Sequence, residues 1–216
     1  MSVKIITIAN RKGGAGKSTC AAHLSLAATS KGYKVILLDL DPQKTLESWW
    51  EKRRDDNPYM ADASAQNLRE KINLIKEKQF DFCIIDTPGD TSVNAAEAIK
   101  LADLVIIPCK PTSPDLKAIG RTISMVQEYN KNYVFILTQT IAKANATIQA
   151  ASVLSDFGPI APATIANRIA YVNAMSSGGT ACELDKSAEA EVQKVWEFII
   201  KKLNIKYANG SGKEKI

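Results

Sequence analysis

The chain has 216 residues, 45% of them apolar and 24% charged, with a net charge of +5. That length suits one α/β unit with a sizeable core, and the composition excludes a disordered chain or a small disulfide scaffold. No apolar run approaches the roughly 20 residues of a membrane span, and no leader precedes the first apolar run, so a cytoplasmic protein is expected.

The first predicted strand, 3–9, runs into Lys12-Gly13-Gly14-Ala15-Gly16-Lys17-Ser18-Thr19, after which the pattern is helical over 17–31. Successive backbone N–H groups in such a Gly-rich turn form a concave anion site, and a helix starting at about Gly16 adds its positive end. Triphosphate is the natural guest. Gly13, Gly14 and Gly16 permit the backbone geometry, Lys17 can reach the β- and γ-phosphates, and the Ser18 hydroxyl can complete the shell of a Mg²⁺ ion. The ordinary loop pattern G-x-x-x-x-G-K-[ST] asks for glycine where Arg11 stands, so this is a deviant form with a second lysine, Lys12.

The next strand, 34–39, ends in Asp39-Leu40-Asp41-Pro42-Gln43, and helices are predicted at 43–54 and 65–78. Strand 81–86 ends in Asp86-Thr87-Pro88-Gly89. Both place carboxylates at C-terminal strand ends, where open α/β sheets bind ligands. A helix at 91–101, a strand at 103–108, a loop marked by Pro108, Pro111 and Pro114, and a helix at 114–130 follow. The remaining expectations are strands at 132–138 and 160–166 and helices at 145–156, 168–177 and 186–203. Residues 208–216 are polar and Gly-rich and are predicted to form a disordered tail beyond one domain over 1–207. This alternation specifies an α/β fold: a doubly wound, mostly parallel sheet with helices on both faces. Cys20, Cys83, Cys109 and Cys182 are widely spaced and read as reduced thiols, and the lone histidine, His23, reads as a packing or solvated residue.

From Lys186 onward seven lysines face four glutamates, an excess of +3 that suits non-specific phosphate contact as well as an ordinary solvated helix face. The segment Val195 to Leu203 is amphipathic enough to be weighed as a membrane helix.

The two-lysine loop and the two acidic strand ends resemble the deviant Walker A ATPases, the group of ParA partition proteins, MinD and the nitrogenase iron protein. The resemblance spans nearly the whole chain and is strongest to small, ParF-like ParA proteins, with no N-terminal helix-turn-helix extension expected. It implies a P-loop NTPase that binds ATP and Mg²⁺ and hydrolyses ATP slowly under partner stimulation. Lys12, Gly13, Gly14, Ala15, Gly16, Lys17, Ser18 and Thr19 would form the nucleotide loop, with Lys12 reaching the partner's nucleotide in a sandwich homodimer. Asp86 would hold the metal with Ser18, Asp39 would support it from behind, Asp41 would position the attacking water, and Gly89 would sense the γ-phosphate. The family further implies non-specific duplex DNA binding, here through Arg168, Lys201 and Lys202, a nucleoid location, and a ParB-like centromere-binding partner. Arg168 could instead lie near the adenine or the dimer interface. The competing expectations are an ATPase that positions conjugation or chemoreceptor machinery, and a MinD-like membrane switch.

Overall fold

The computed structural model describes residues 2–89 and 92–205; residues 206 and 207 of the expected domain and the whole expected tail at 208–216 lie outside them. Seven strands, β1 (Lys4–Ile8), β2 (Val35–Asp39), β3 (Tyr59–Ala61), β4 (Phe82–Asp86), β5 (Leu104–Cys109), β6 (Tyr133–Thr140) and β7 (Ile165–Ala166), form one sheet. Its order is β3-β2-β4-β1-β5-β6-β7, and every pairing is parallel. The runs Val35-Ile-Leu-Leu38 and Phe82-Cys-Ile-Ile85 are apolar at every position because a parallel sheet is covered on both faces. Alternate residues then go to opposite sides. Ile6, Ile8, Leu37, Phe82, Ile84, Ile106 and Ile136 enter one core, while Ile5, Leu38, Cys83 and Ile85, and likewise Val105, Ile107, Phe135 and Leu137, enter cores on the other face.

The first face carries α1 (Lys17–Thr29), α2 (Thr45–Glu51), α7 (Ile169–Ser177), α8 (Ala181–Leu184) and α9 (Lys186–Lys202). The opposite face carries α3 (Leu68–Glu77), α4 (Val93–Leu101), α5 (Ser113–Glu128) and α6 (Asn145–Ser155). Caps fix several starts: Thr112 accepts the Asp115 N–H at α5, and Asp185 accepts the N–H groups of Ser187 and Ala188 at α9.

Three short elements depart from expectation, the unmarked helix α8 among them. β3 was unmarked because three residues on a sheet edge behind Asn57-Pro58 carry no period-2 signal. β7 is shorter than 160–166 because Pro162 cannot donate to the ladder, leaving a bridge at Ile160 before it and two paired residues after it. Cys20, Cys83 and Cys109 are buried and Cys182 is half-buried.

The amphipathic face of α9 is packed rather than free. Trp196 is fully buried, edge-on to Phe82 with ring centroids 5.0 Å apart, and Val192, Val195, Ile199 and Ile200 join it in the core. No helix among the described residues is long and apolar enough to cross a membrane.

His23 ties α1 to the C-terminal helices. Its Nδ1 stands 2.9 Å from the Thr19 carbonyl and so carries the proton, while Nε2 accepts the Ala181 N–H at 3.1 Å. Burial pushes the imidazole pKa down to about 4 from its ordinary 6.5, only partly opposed by the Thr19 carbonyl. A depressed histidine pKa means stability is complete above about pH 6.5 and is lost as pH falls toward 4, by up to roughly 3 kcal/mol. Denaturant melts at pH 7 and pH 4.5 should show this loss, and a His23→Gln variant, which keeps a donor and an acceptor, should show a shallower pH slope.

Candidate nucleotide-binding site

The turn from β1 into α1 has its carbonyls and its entry held to other strand ends. The Thr138 hydroxyl donates to the Ala15 carbonyl at 2.8 Å, and the Gln139 amide donates to the Gly14 carbonyl at 2.9 Å. Asn10 donates to the Pro108 carbonyl at 2.6 Å and accepts the Lys12 N–H at 2.9 Å, pinning the loop's entry to the end of β5. Gly14 and Gly16 adopt φ of 70° and 90°, the left-handed region that side chains resist, so two of the three expected glycines stand where the backbone needs them; at Gly13 φ is not positive and an added Cβ would meet nothing within 4 Å. Gln139 also has positive φ, at 51°, within a register shift between Thr138 and Thr140 that turns its amide onto the loop.

The two acidic strand ends are neighbours: Asp39 pairs in register with Asp86. Asp39 is buried, with Oδ1 accepting the Asp41 N–H at 3.0 Å and Oδ2 accepting those of Leu46 and Glu47, each at 3.0 Å. Its carboxylate thus fastens the Asp41 loop to the start of α2 and has little left for a metal; burial raises its pKa despite these donors.

Asp86 is different. Both oxygens are buried and neither closes a well-formed hydrogen bond. Burial raises its pKa to about 7, an effect that the nearby Ser18 hydroxyl and Lys17 oppose and that Asp39 and Asp41 reinforce. A buried carboxylate with open oxygens beside a serine hydroxyl is a donor set that fits a hard divalent cation. Lys17 is itself buried, and its ammonium lies near Gly89, where an added Cβ would come within 3.3 Å of it.

Two grooves meet over the loop. One, of about 520 Å³, is lined by Gly13, Gly14, Lys17, Ser18, Asp41 and Gly89 among others. The second, of about 620 Å³, contains Asn167, Arg168, Tyr171, Val172 and Met175 and shares Gly16, Thr19, Gln43, Thr45 and Gln139 with the first. The larger groove carries no carboxylate on its wall, which suits a base and sugar; the smaller has the glycine loop with Lys17, Ser18 and one acid, Asp41. Lys12 is exposed at the loop's outer edge, lining neither groove.

Of the three cations assigned to DNA, Arg168 is committed elsewhere. Its guanidinium contacts Glu191 at 2.7 Å and Asp185 at 3.2 Å, and Glu191 also accepts the Tyr171 hydroxyl and the Ala166 N–H. That network joins β7, α7 and α9 on the rim of the larger groove, where sequence left adenine or an interface as its alternatives. Lys201 and Lys202 are exposed and form no ion pair among the described residues. Thr138, Gln139 and Asn167 escaped the sequence reading. Their place at C-terminal strand ends was the one signal, and it does not say which of those ends meet at the loop.

A parallel sheet with a glycine loop, buried lysine and paired acidic strand ends at one edge defines a P-loop nucleotide-binding protein. The chain belongs to the CobQ/CobB/MinD/ParA nucleotide binding domain family, whose model matches residues 6–178. It is 27% identical over 213 residues to the maintenance of carboxysome distribution protein A of Halothiobacillus neapolitanus, covering 90% of this chain and 95% of that one. It is 30% identical over 128 residues to the protein ParA of Rhizobium radiobacter, covering 57% and 56% of the two chains. An ATP complex of Cyanothece McdA superposes with a TM-score of 0.79 at 20% identity, over 95% of this chain and 98% of that one. A plasmid partition protein of Borrelia burgdorferi bound to AMPPNP superposes with a TM-score of 0.75 at 23% identity, over 93% and 99%. At these identities the structural likeness speaks to the fold alone.

Gly89 offers a direct test of the groove. A Cβ there would lie 3.2 Å from the Gly13 backbone as well as against Lys17. Gly89→Ala should push the loop out of register and weaken nucleotide binding on the order of tenfold, read by calorimetric titration, with the melting temperature little changed.

Proposed function

We propose that this protein is a ParA-type ATPase: ATP drives a sandwich homodimer, the dimer holds duplex DNA without reading sequence, and hydrolysis stimulated by a ParB-like centromere-binding partner releases it during plasmid or chromosome segregation. The observation that carries the reading is the loop with two lysines facing different ways, Lys17 buried beside Gly89 in the smaller groove, and Lys12 exposed outside both grooves.

In this reading the loop N–H groups and Lys17 bind the β- and γ-phosphates, and the base lies between the Gln139 and Asn167 strand ends. Ser18 and Asp86 would hold a magnesium ion, which neutralises charge on the phosphate oxygens. Asp39 acts through position: by capping α2 it sets the Asp41 loop, and Asp41, half-buried in the phosphate groove, orients the attacking water. Lys12 reaches across to the partner's nucleotide. DNA contact belongs to Lys201 and Lys202, with Arg168 bracing the helices beneath the base.

A second reading, an ATPase of the same design that positions a protein cargo, draws support from the near full-length similarity to a carboxysome distribution protein. The membrane-switch reading has less support, because the apolar face of α9 is packed into the core.

Lys17→Ala should lower ATP affinity by on the order of 100-fold, while Asp41→Ala should leave it within about threefold and slow hydrolysis by roughly 10² or more. Fluorescent-nucleotide titration and phosphate release separate the two roles; equal loss of affinity in both variants would refute the division. Lys12→Ala should bind nucleotide normally yet form fewer dimers with ATP in sedimentation velocity.

Pairing two weak basic patches in one dimer gains roughly 10²- to 10⁴-fold in avidity, so ATP should switch duplex DNA binding on. Changing Lys201 and Lys202 together to Ala should weaken that binding about equally on all sequences and flatten its salt dependence, with ATP affinity unchanged. Equal DNA retention with ATP, ADP and no nucleotide would contradict the switch.

A further inference from the structure

A third lysine stands at the phosphate loop. Lys110 immediately follows β5, the strand beside β1, and its Nζ lies 3.7 Å from where a Cβ on Gly14 would be. The side chain is half-buried and makes no hydrogen bond or ion pair among the described residues. Asp115, the next acid along the chain, takes the Thr112 hydroxyl at the cap of α5 instead.

Its placement is stiff. Pro111 confines the preceding residue, Lys110, to extended backbone, and Pro108 two residues earlier is locked in the sheet and receives the Asn10 amide. The Arg11 N–H donates to Thr122 on α5 at 3.2 Å, so both flanks of Lys110 are tied to the loop it overlies. A half-buried lysine whose ammonium lies over a backbone suited to anions, with no counter-ion among the described residues, is an incomplete ion pair. Lys17 reaches the loop from α1, and Lys110 approaches from the β5 side.

We propose that Lys110 is a third phosphate-facing cation: its ammonium pairs with the terminal phosphates of a nucleoside triphosphate, seated in its own loop or in that of a second copy. The proposal rests on the nucleotide-binding reading above and adds a specificity role to it. Because the added charge meets the end of the chain, it favours triphosphate over diphosphate.

The test compares wild type, Lys110→Met, which keeps the stem and removes the charge, and Lys110→Arg, with ATP, ADP and inorganic tripolyphosphate as probes. Lys110→Met should weaken ATP and tripolyphosphate binding on the order of tenfold and ADP binding less, with a shallower salt dependence, and Lys110→Arg should restore most of the difference. Loss seen in dilute monomer assigns the contact to the protein's own nucleotide. Unchanged monomer affinity with a smaller ATP-dependent dimer fraction in sedimentation assigns it to the second copy. If Lys110→Met matches wild type in affinity, in ATP-over-ADP preference and in dimer fraction, the proposal is wrong. Wild type that binds tripolyphosphate through Lys110 but ignores ATP would instead overturn the ATPase reading and leave Lys110 standing.

Discussion

A loop can offer its N–H groups to an anion only if its own carbonyls are satisfied by something other than the anion. Here the donors are Thr138 and Gln139, from the end of β6, which grip the carbonyls of Ala15 and Gly14. The order of the sheet does not place β6 next to β1; β5 lies between them, and the shifted register at Thr138 to Thr140 is what lets β6 reach across. The shape of the loop is therefore a property of three strand ends acting together, with β5 contributing the Pro108 carbonyl that fixes Asn10. An unbraced glycine loop of the same sequence would lose its concave shape to backbone entropy, because glycine has the most freedom to lose on ordering.

Charge is distributed over this frame with equal economy. Two aspartates meet in register at the C-terminal ends of β2 and β4, a costly arrangement for two buried carboxylates. One is compensated internally: Asp39 takes three backbone N–H groups and becomes the N-terminal anchor of α2. The other, Asp86, is left open. The asymmetry separates a carboxylate that shapes the loop from one that is available to a cation, although both occupy equivalent strand ends.

The C-terminal helices are coupled to the same frame. Trp49 donates to the Gly179 carbonyl at 3.0 Å and Arg53 to that of Gly178 at 2.8 Å, while Ala181 donates to His23 on α1. The turn between α7 and α8 is thus gripped by the helix after the acidic loop and by the helix after the phosphate loop. Gly178 has φ of 75° and no room for a Cβ, which would fall 2.7 Å from the Lys52 carbonyl carbon. Rearrangement of either loop has a short mechanical path to α7, the wall of the larger groove, and to α9.

The sequence by itself determined the class of fold and the order of its parts. Apolar runs ending in Asp39 and Asp86, and the Gly-Lys loop ahead of a helix, read clearly because each depends on neighbours a few residues away: strand period, turn glycines and helix caps are local physics. The tertiary structure decided everything that depends on contacts across the chain. Arg168 looks like a surface cation in sequence, yet folding brings Asp185 and Glu191 to it from α9 and its start, so its charge is engaged internally. The segment from Val195 to Leu203 is amphipathic enough to suit either a membrane surface or the packing face of a final helix, and its docking against Phe82 and α1 decides for the core. Gln139 and Lys110 carry no local motif at all; they matter because parallel crossovers align distant strand ends at one edge, and sequence spacing does not encode which ends become neighbours.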